Sequence, residues 1–306
     1  GLESFSTPAG WTAAPFSAQR SVQAGFGLLL IHPGQTCFML IARNRLISQG
    51  KFISILVSII VIHGADGQEP PPLNQTLSIG AYYARGDYEE PLDTTIHYFP
   101  VTYSLDRGRW GFQLMAGQLR IEGLGNVLVN IGGVNRAVAA TQVSTSSGIS
   151  DSIATLIYHF DPISATAPFV DLRLDVKLPT ADEDNGLGTG ETDYSIQVDL
   201  SQNLGTSMIY ATFGYNFRGT STLYEGLQDS AFAQLAFAYP LNQGWSIGAF
   251  YDYRESASSF TPETHDLLPY VSWQLNEKWT FTAMTAWGFT EASADITALG
   301  QLSYRW

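Results

Sequence analysis

Charged and aliphatic residues alternate in Asp171-Leu-Arg-Leu-Asp-Val-Lys177. In an extended chain successive side chains point to opposite faces. Asp171, Arg173, Asp175 and Lys177 therefore share one face in alternating sign, and Val170, Leu172, Leu174, Val176 and Leu178 share the other. The same spacing puts Asp193, Ser195, Gln197 and Asp199 together on a second stretch and Thr212, Asn216 and Arg218 on a third. Asp252 and Arg254 repeat it on a fourth, alternating with Tyr251 and Tyr253. Two kinds of chemistry suit such faces. Opposite charges can pair across neighbouring strands as ionic glue, or the same groups can line a polar path for a solute. Both can hold at once.

The sequence offers no catalytic set and no metal site. His32 and His63 lie in the first 67 residues, and His97, His159 and His265 are scattered without carboxylates at ligand spacing. Serines are frequent, but none stands in a nucleophile elbow. A lipid-hydrolysing barrel needs a rim Ser and His with an orienting third group, and only His265, near Ser256, Ser258 and Ser259, offers a start. Asp182-Glu-Asp-Asn185 lacks the calcium-loop spacing and reads as a solvated acidic loop. No cofactor is implied.

The elements that must position the charged faces are strands. In the last stretch Ile296, Ala298, Gly300, Leu302, Tyr304 and Trp306 fall on one face, and Thr297, Leu299, Gln301, Ser303 and Arg305 on the other. An aromatic-ended final strand resembles the assembly signal of outer-membrane proteins. Twelve alternating stretches run along the chain, at 75–86, 94–106, 109–122, 150–161, 167–179, 191–202, 205–218, 229–240, 244–255, 265–276, 278–290 and 293–306. Tight breaks such as Asp106-Arg-Gly108 and Asn276-Glu277 alternate with breaks that are mostly longer and more polar. An outer-membrane barrel has short periplasmic turns on one side and surface loops on the other. Trp110, Trp245, Trp273, Trp279 and Trp306 gather at the short-turn end, and Tyr83, Tyr215, Phe217, Tyr253, Trp287 and Phe289 at the other, as two aromatic girdles.

Composition agrees. Charged residues make up 14% of the chain, against roughly 25% in soluble domains, while aromatics reach 13%. Mean hydropathy is +0.01, as expected where only every second residue meets lipid. Setting aside the four basic and two acidic residues of 1–67 leaves 11 basic against 26 acidic in 68–306, a balance that excludes nucleic acid as a partner. The only cysteine is Cys37, so no disulfide framework exists.

The front end reads as processing. Residues 1–38 form an upstream segment without periodicity. Residues 39–67 form a secretory signal peptide, with Arg43, Arg45 and Lys51 before the apolar run Phe52–Ile62 and an Ala65-Asp-Gly67 cleavage site. Residues 68–74, with Glu69-Pro-Pro-Pro72, make a periplasmic spacer, and 75–306 the barrel. Three features strain the scheme. Pro100 and Pro269 interrupt strands, where a proline removes a ladder donor. The apolar residues within 123–148 suit either a plug in the lumen or two more short strands, which makes fourteen the second choice of strand number.

Val176-Lys-Leu-Pro179-Thr180, followed by Gly186-Leu-Gly188-Thr189-Gly190-Glu-Thr-Asp193, resembles the signature of the outer-membrane proteins of the putative MetA pathway of phenol degradation. Tyr194–Leu204 and Phe213-Gly-Tyr-Asn-Phe-Arg218 are similar to that family's next two strands, and the resemblance spans about 75–306. Ala181 stands where a Gly is usual. The resemblance implies a transporter-like barrel for hydrophobic or aromatic compounds and brings no catalytic residues with it. The glycines at 186, 188 and 190 suit a sharp return into the next strand and a loop that dips into the lumen.

The expectation is an all-β, transmembrane antiparallel barrel of twelve strands in the outer membrane of a Gram-negative bacterium. It passes small solutes passively or hands apolar ones sideways to lipid. A lipid-modifying barrel enzyme and a surface barrel without transport are the alternatives. The expected partners are outer-membrane lipid and lipopolysaccharide, the barrel-assembly machinery acting on the strand ending at Trp306, and a small-molecule solute.

Overall fold

The computed structural model describes residues 71–306 except 89–91, 131–132, 165, 222–225, 243 and 259–261, and the side chains of 124–143 are likewise left aside. The upstream segment, the signal peptide and Cys37 lie outside the described residues.

The strands are β1 (Leu73–Gly86), β2 (Thr94–Arg107), β3 (Trp110–Asn130), β4 (Gly133–Ile149), β5 (Ser152–Phe160), β6 (Phe169–Leu178), β7 (Asp193–Leu204), β8 (Ser207–Phe217), β9 (Ser230–Asn242), β10 (Trp245–Arg254), β11 (Thr264–Gln274), β12 (Trp279–Gly288) and β13 (Ile296–Arg305). Each wall strand pairs antiparallel with both neighbours, and β13 pairs with β1 from Arg305↔Thr76 to Ile296↔Arg85. Beyond the last strand, the Trp306 amide donates to the Gln75 carbonyl at 3.1 Å. The wall thus closes on itself through the β1–β13 seam, which is what a bilayer demands of a strand-built protein.

Among the described residues, twelve strands make the wall. β4 pairs only with β3, from Gln118↔Ile149 to Asn130↔Gly133. Below Ser150 and Asp151 the chain resumes as β5, which pairs with β3 at Trp110–Met115 and with β6 along its whole length. The apolar residues of 123–148 are therefore spent on a hairpin that prolongs β3, and the fourteen-strand alternative is set aside. β1 begins at Leu73, opposite Arg107, so the wall takes in two residues of the expected spacer.

Parity follows the sequence pattern. Ile79, Val101, Leu174, Ile196, Phe213, Phe237 and Phe281 are exposed on the outer face, and their inward neighbours are buried. On a closed barrel, this continuous apolar band is a lipid-facing surface, and the protein sits in the outer membrane. Rings mark the short-turn rim. Trp245 stacks on Trp273 at 5.1 Å, Trp279 meets Tyr304 at 4.7 Å, and Tyr304 stacks on Trp306 at 5.6 Å.

The wall tolerates its two prolines by giving up pairing locally. The β1–β2 ladder is interrupted between Ile79↔Val101 and Tyr82↔Tyr98, where Pro100 has glycine on both sides. A Cβ at Gly80 would stand 2.9 Å from the Pro100 ring, and one at Gly117 2.9 Å from Pro100 Cα. The β11–β12 ladder is likewise interrupted between Leu267↔Trp287 and Tyr270↔Met284, at Pro269.

Candidate functional site: the filled interior

The inward residues divide into two walls. Adjacent strands bring the sequence-selected charges together in register. Asp171 faces Asp199 across β6–β7, Arg173 faces Gln197, Asp175 faces Ser195, and Lys177 faces Asp193. Toward the periplasmic side, His159 Nδ1 lies 2.8 Å from Asp171 Oδ1, and Nε2 lies 3.4 Å from Asp106 Oδ1. At mid-depth Asp175 accepts from Thr155 Oγ1 at 2.5 Å, and Asp199 accepts from Thr212 Oγ1 and Gln197 Nε2, both at 2.7 Å. Arg173, 1% exposed, donates to Gln113 at 3.3 Å and holds Nε 3.9 Å from Asp199 Oδ2. Further round, Asp252 accepts from Gln234 at 2.5 Å and from Arg254 Nε at 2.7 Å. Arg218 turns to β9 instead, donating to Gln228 O at 3.0 Å and Ser230 Oγ at 2.9 Å. Asn216 faces Ser195 and is buried.

At the outer end this wall holds the signature loop. Lys177, 0% exposed, places Nζ 2.7 Å from Asp193 Oδ2, 3.3 Å from Asp151 Oδ2 and 2.8 Å from Thr189 Oγ1. Asp151 Oδ1 accepts the Ala181 amide at 3.0 Å, and Asp193 Oδ1 accepts the Gly219 amide at 2.9 Å. After Pro179, the Thr180 hydroxyl takes the Ser152 amide at 2.8 Å and donates to Ser150 O at 3.1 Å. Ser221 donates to Thr189 O at 3.1 Å. Asp182–Asn185 stay exposed, while Gly186, Leu187, Gly188 and Thr189 are buried and Gly190 is half-buried. The expected inward dip of the loop is present, and Lys177 is its anchor.

Much of the rest of the interior is apolar, with Thr102, Ser272, Thr282, Thr297 and Gln301 buried among it, and this apolar share is what the polar-lumen expectation missed. Met208, Tyr210, Phe250, Leu268, Tyr270, Met284 and Leu299 pack together with Ala236, Ala238 and Ala286 across β8–β13. A second cluster, nearer the outer mouth, joins Ala84, Tyr88, Ile96, Tyr98, Leu119 and Ile121 to Leu187 of the loop. Tyr82 touches both. The missed signal was parity. Leu299, Leu268 and Ile96 share the inward face with Gln301, Ser272 and Thr94, so each belonged to the interior by spacing alone.

Of the candidate rim residues, Ser259 lies outside the described residues, and His265 is engaged by tyrosines. Its Nδ1 lies 2.7 Å from the Tyr251 hydroxyl, and its ring packs 5.0 Å from Tyr253. Among the described residues no three His, Cys, Asp or Glu side chains gather as a metal site.

Residues 87–306 match the family described as putative MetA-pathway of phenol degradation. The chain belongs to this family. Among solved structures, an outer-membrane channel from Pseudomonas putida F1 is similar, at 13% identity and TM-score 0.58 over 80% of this chain and 100% of that one. The KdgM porin in complex with oligogalacturonate (9% identity, TM-score 0.44, 75% and 98% covered) is more distantly similar. So is the translocator domain of the autotransporter NalP from Neisseria meningitidis (10%, 0.45, 79% and 90%). At these identities the likeness concerns the fold. A search of curated proteins finds no match.

Proposed function

We propose that this barrel carries small uncharged solutes, hydrophobic or aromatic ones, passively across the outer membrane. One observation carries the reading. The two apolar clusters join through Tyr82 into a single file that leads from Leu187 at the outer mouth to Met208, two residues into β8 from its short-turn end. An apolar solute moving along that file exchanges contacts with rings and thioethers and leaves no polar group unpaired. The family description and the channel from Pseudomonas putida favour the same reading. Asp171, Arg173, Asp175, Lys177, Asp193, Gln197, Asp199, Asn216, Arg218, Asp252 and Arg254 then form the polar side of the path and set what it refuses. A charged solute meets a wall with more carboxylates than cations. Lipopolysaccharide and outer-membrane lipid are the barrel's surroundings, and the strand ending at Trp306 is the part the assembly machinery reads.

The test is uptake of radiolabelled toluene and of benzoate by Gram-negative host cells with and without the protein. Toluene uptake is expected to rise several-fold and benzoate uptake to stay level. Equal stimulation of both would mean a water-filled pore, and stimulation of neither a barrel without transport.

A further inference from the structure

We infer that the pocket filled by the Leu187 side chain is the first binding site for the incoming solute. It takes an uncharged group the size of a branched alkyl chain or a single aromatic ring. The inference builds on the uptake reading above and names the place where the solute first leaves water.

Leu187 is out of character with its loop. Its neighbours Asp182–Asn185 are charged or polar and exposed, yet Leu187 is 1% exposed. Among the described residues the loop is tied to the wall by side chains, Lys177 to Thr189 and Asp151 to the Ala181 amide, and not by ladder bonds. Its own turn is closed by Gly186 N to Glu183 O at 2.9 Å and Leu187 N to Asp182 O at 3.0 Å. Gly186 and Gly190 on either side take φ of 70° and 71°, a region that side-chain-bearing residues avoid. With its two ends tied at Ala181 and Thr189, the turn between them can move the Leu187 side chain without breaking a ladder bond.

The cavity walls are built for an apolar guest. Leu187 is buried in one cluster with Ile96, Tyr98, Leu119 and Ile121. On β4 the space is left by Gly148, where a Cβ would stand 2.6 Å from Leu187 Cδ1. Leu187 is thus a stand-in: an isobutyl group, carried by a water-facing loop, occupies the head of the apolar file. A solute gains admission by replacing it. To do so it must cover comparable apolar surface, and a charge on it would have no partner there.

Two variants of the full chain test the inference. Leu187→Ala empties the pocket. Because a self-occupied site binds its ligand in proportion to the fraction of time it is vacant, the barrel in lipid nanodiscs is expected to bind fluorobenzene roughly fivefold to tenfold more tightly than the parent, read by ¹⁹F NMR. Gly148→Cys with Leu187→Cys, in a Cys37→Ser background, fixes the loop in place by a disulfide. Oxidation is expected to abolish fluorobenzene binding and toluene uptake, and reduction to restore both. Heat-modifiable gel migration confirms that each variant is a folded barrel. If Leu187→Ala binds no more tightly, or the oxidised pair still binds, the pocket assignment is overturned whatever the cells take up. If binding changes as expected while the parent gives no toluene uptake, the transport reading fails and the binding site stands.

Discussion

The inward faces of β6 and β7 lie in the same barrel as those of β11 and β12, yet one pair carries alternating charges while the other sets Leu268, Tyr270, Met284 and Ala286 among Asp266, which faces Asp252, and the hydrogen-bonded Ser272 and Thr282. On the ionic side the charges sit beside fixed partners, although Arg173 Nε and Asp199 Oδ2 are buried 3.9 Å apart without a hydrogen bond. Lys177 alone holds Asp193, Asp151 and Thr189. Charges out of water tolerate little displacement, because a lost partner leaves an uncompensated ion. On the apolar side Met284 and Leu268 need only shape, and dispersion contacts re-form when a side chain or a guest shifts. The lesson is a division of labour. The ionic wall fixes the barrel and its loop, while the apolar wall can yield to a solute.

The largest expected effect breaks the ionic wall. Lys177→Met strands two buried carboxylates, and removing one partner of a buried pair costs about 3–5 kcal/mol. A large drop in the urea midpoint of the refolded barrel is expected, with the signature loop becoming open to protease. A loss below about 1 kcal/mol would mean the wall is not held by its charges. Next, Met284→Ala on the apolar wall should cost about 2–4 kcal/mol while speeding toluene uptake, because the vacated volume lies on the proposed path. Slower uptake would move the path elsewhere. Gly214→Ala probes the boundary between the walls. Its Cβ would fall on the Phe232 ring, the residue it faces across β8–β9, so about 1–3 kcal/mol is expected from the displaced ring. The smallest effect is that of Thr212→Val. It removes one of two donors to Asp199 Oδ1 and is expected to cost about 1–2 kcal/mol, with toluene uptake unchanged. A change in uptake would mean that the ionic wall shares the apolar path.

Period-two spacing made the wall legible in the sequence. Charge alternation at Asp171–Lys177 located the ionic face, and the tight breaks located the periplasmic turns. Two things escaped. Inward apolar residues such as Tyr98 and Tyr270 are placed inside by parity, but which of them pack together is decided by register across strands, which no single strand's sequence shows. The role of Lys177 depends on Asp151 and Asp193, 26 residues before it and 16 after, which meet only because β5, β6 and β7 lie side by side. The prolines looked like errors because each was read along its own strand. Pro100 is accommodated by Gly80 and Gly117 on the two adjacent strands, a compensation that runs across the chain.

The seam between β1 and β13 joins Thr76 to Arg305, nearly the whole described length apart. Until the last strand is in place, β1 has one bare side, and an unpaired strand edge invites pairing with other chains. Local hairpins can form early, but the circle is completed last and only by a distant contact, an ordering that makes folding slow. Loss of β13 alone would open two edges at once. A truncation there is expected to turn a membrane protein into an aggregating one, even with eleven strands intact.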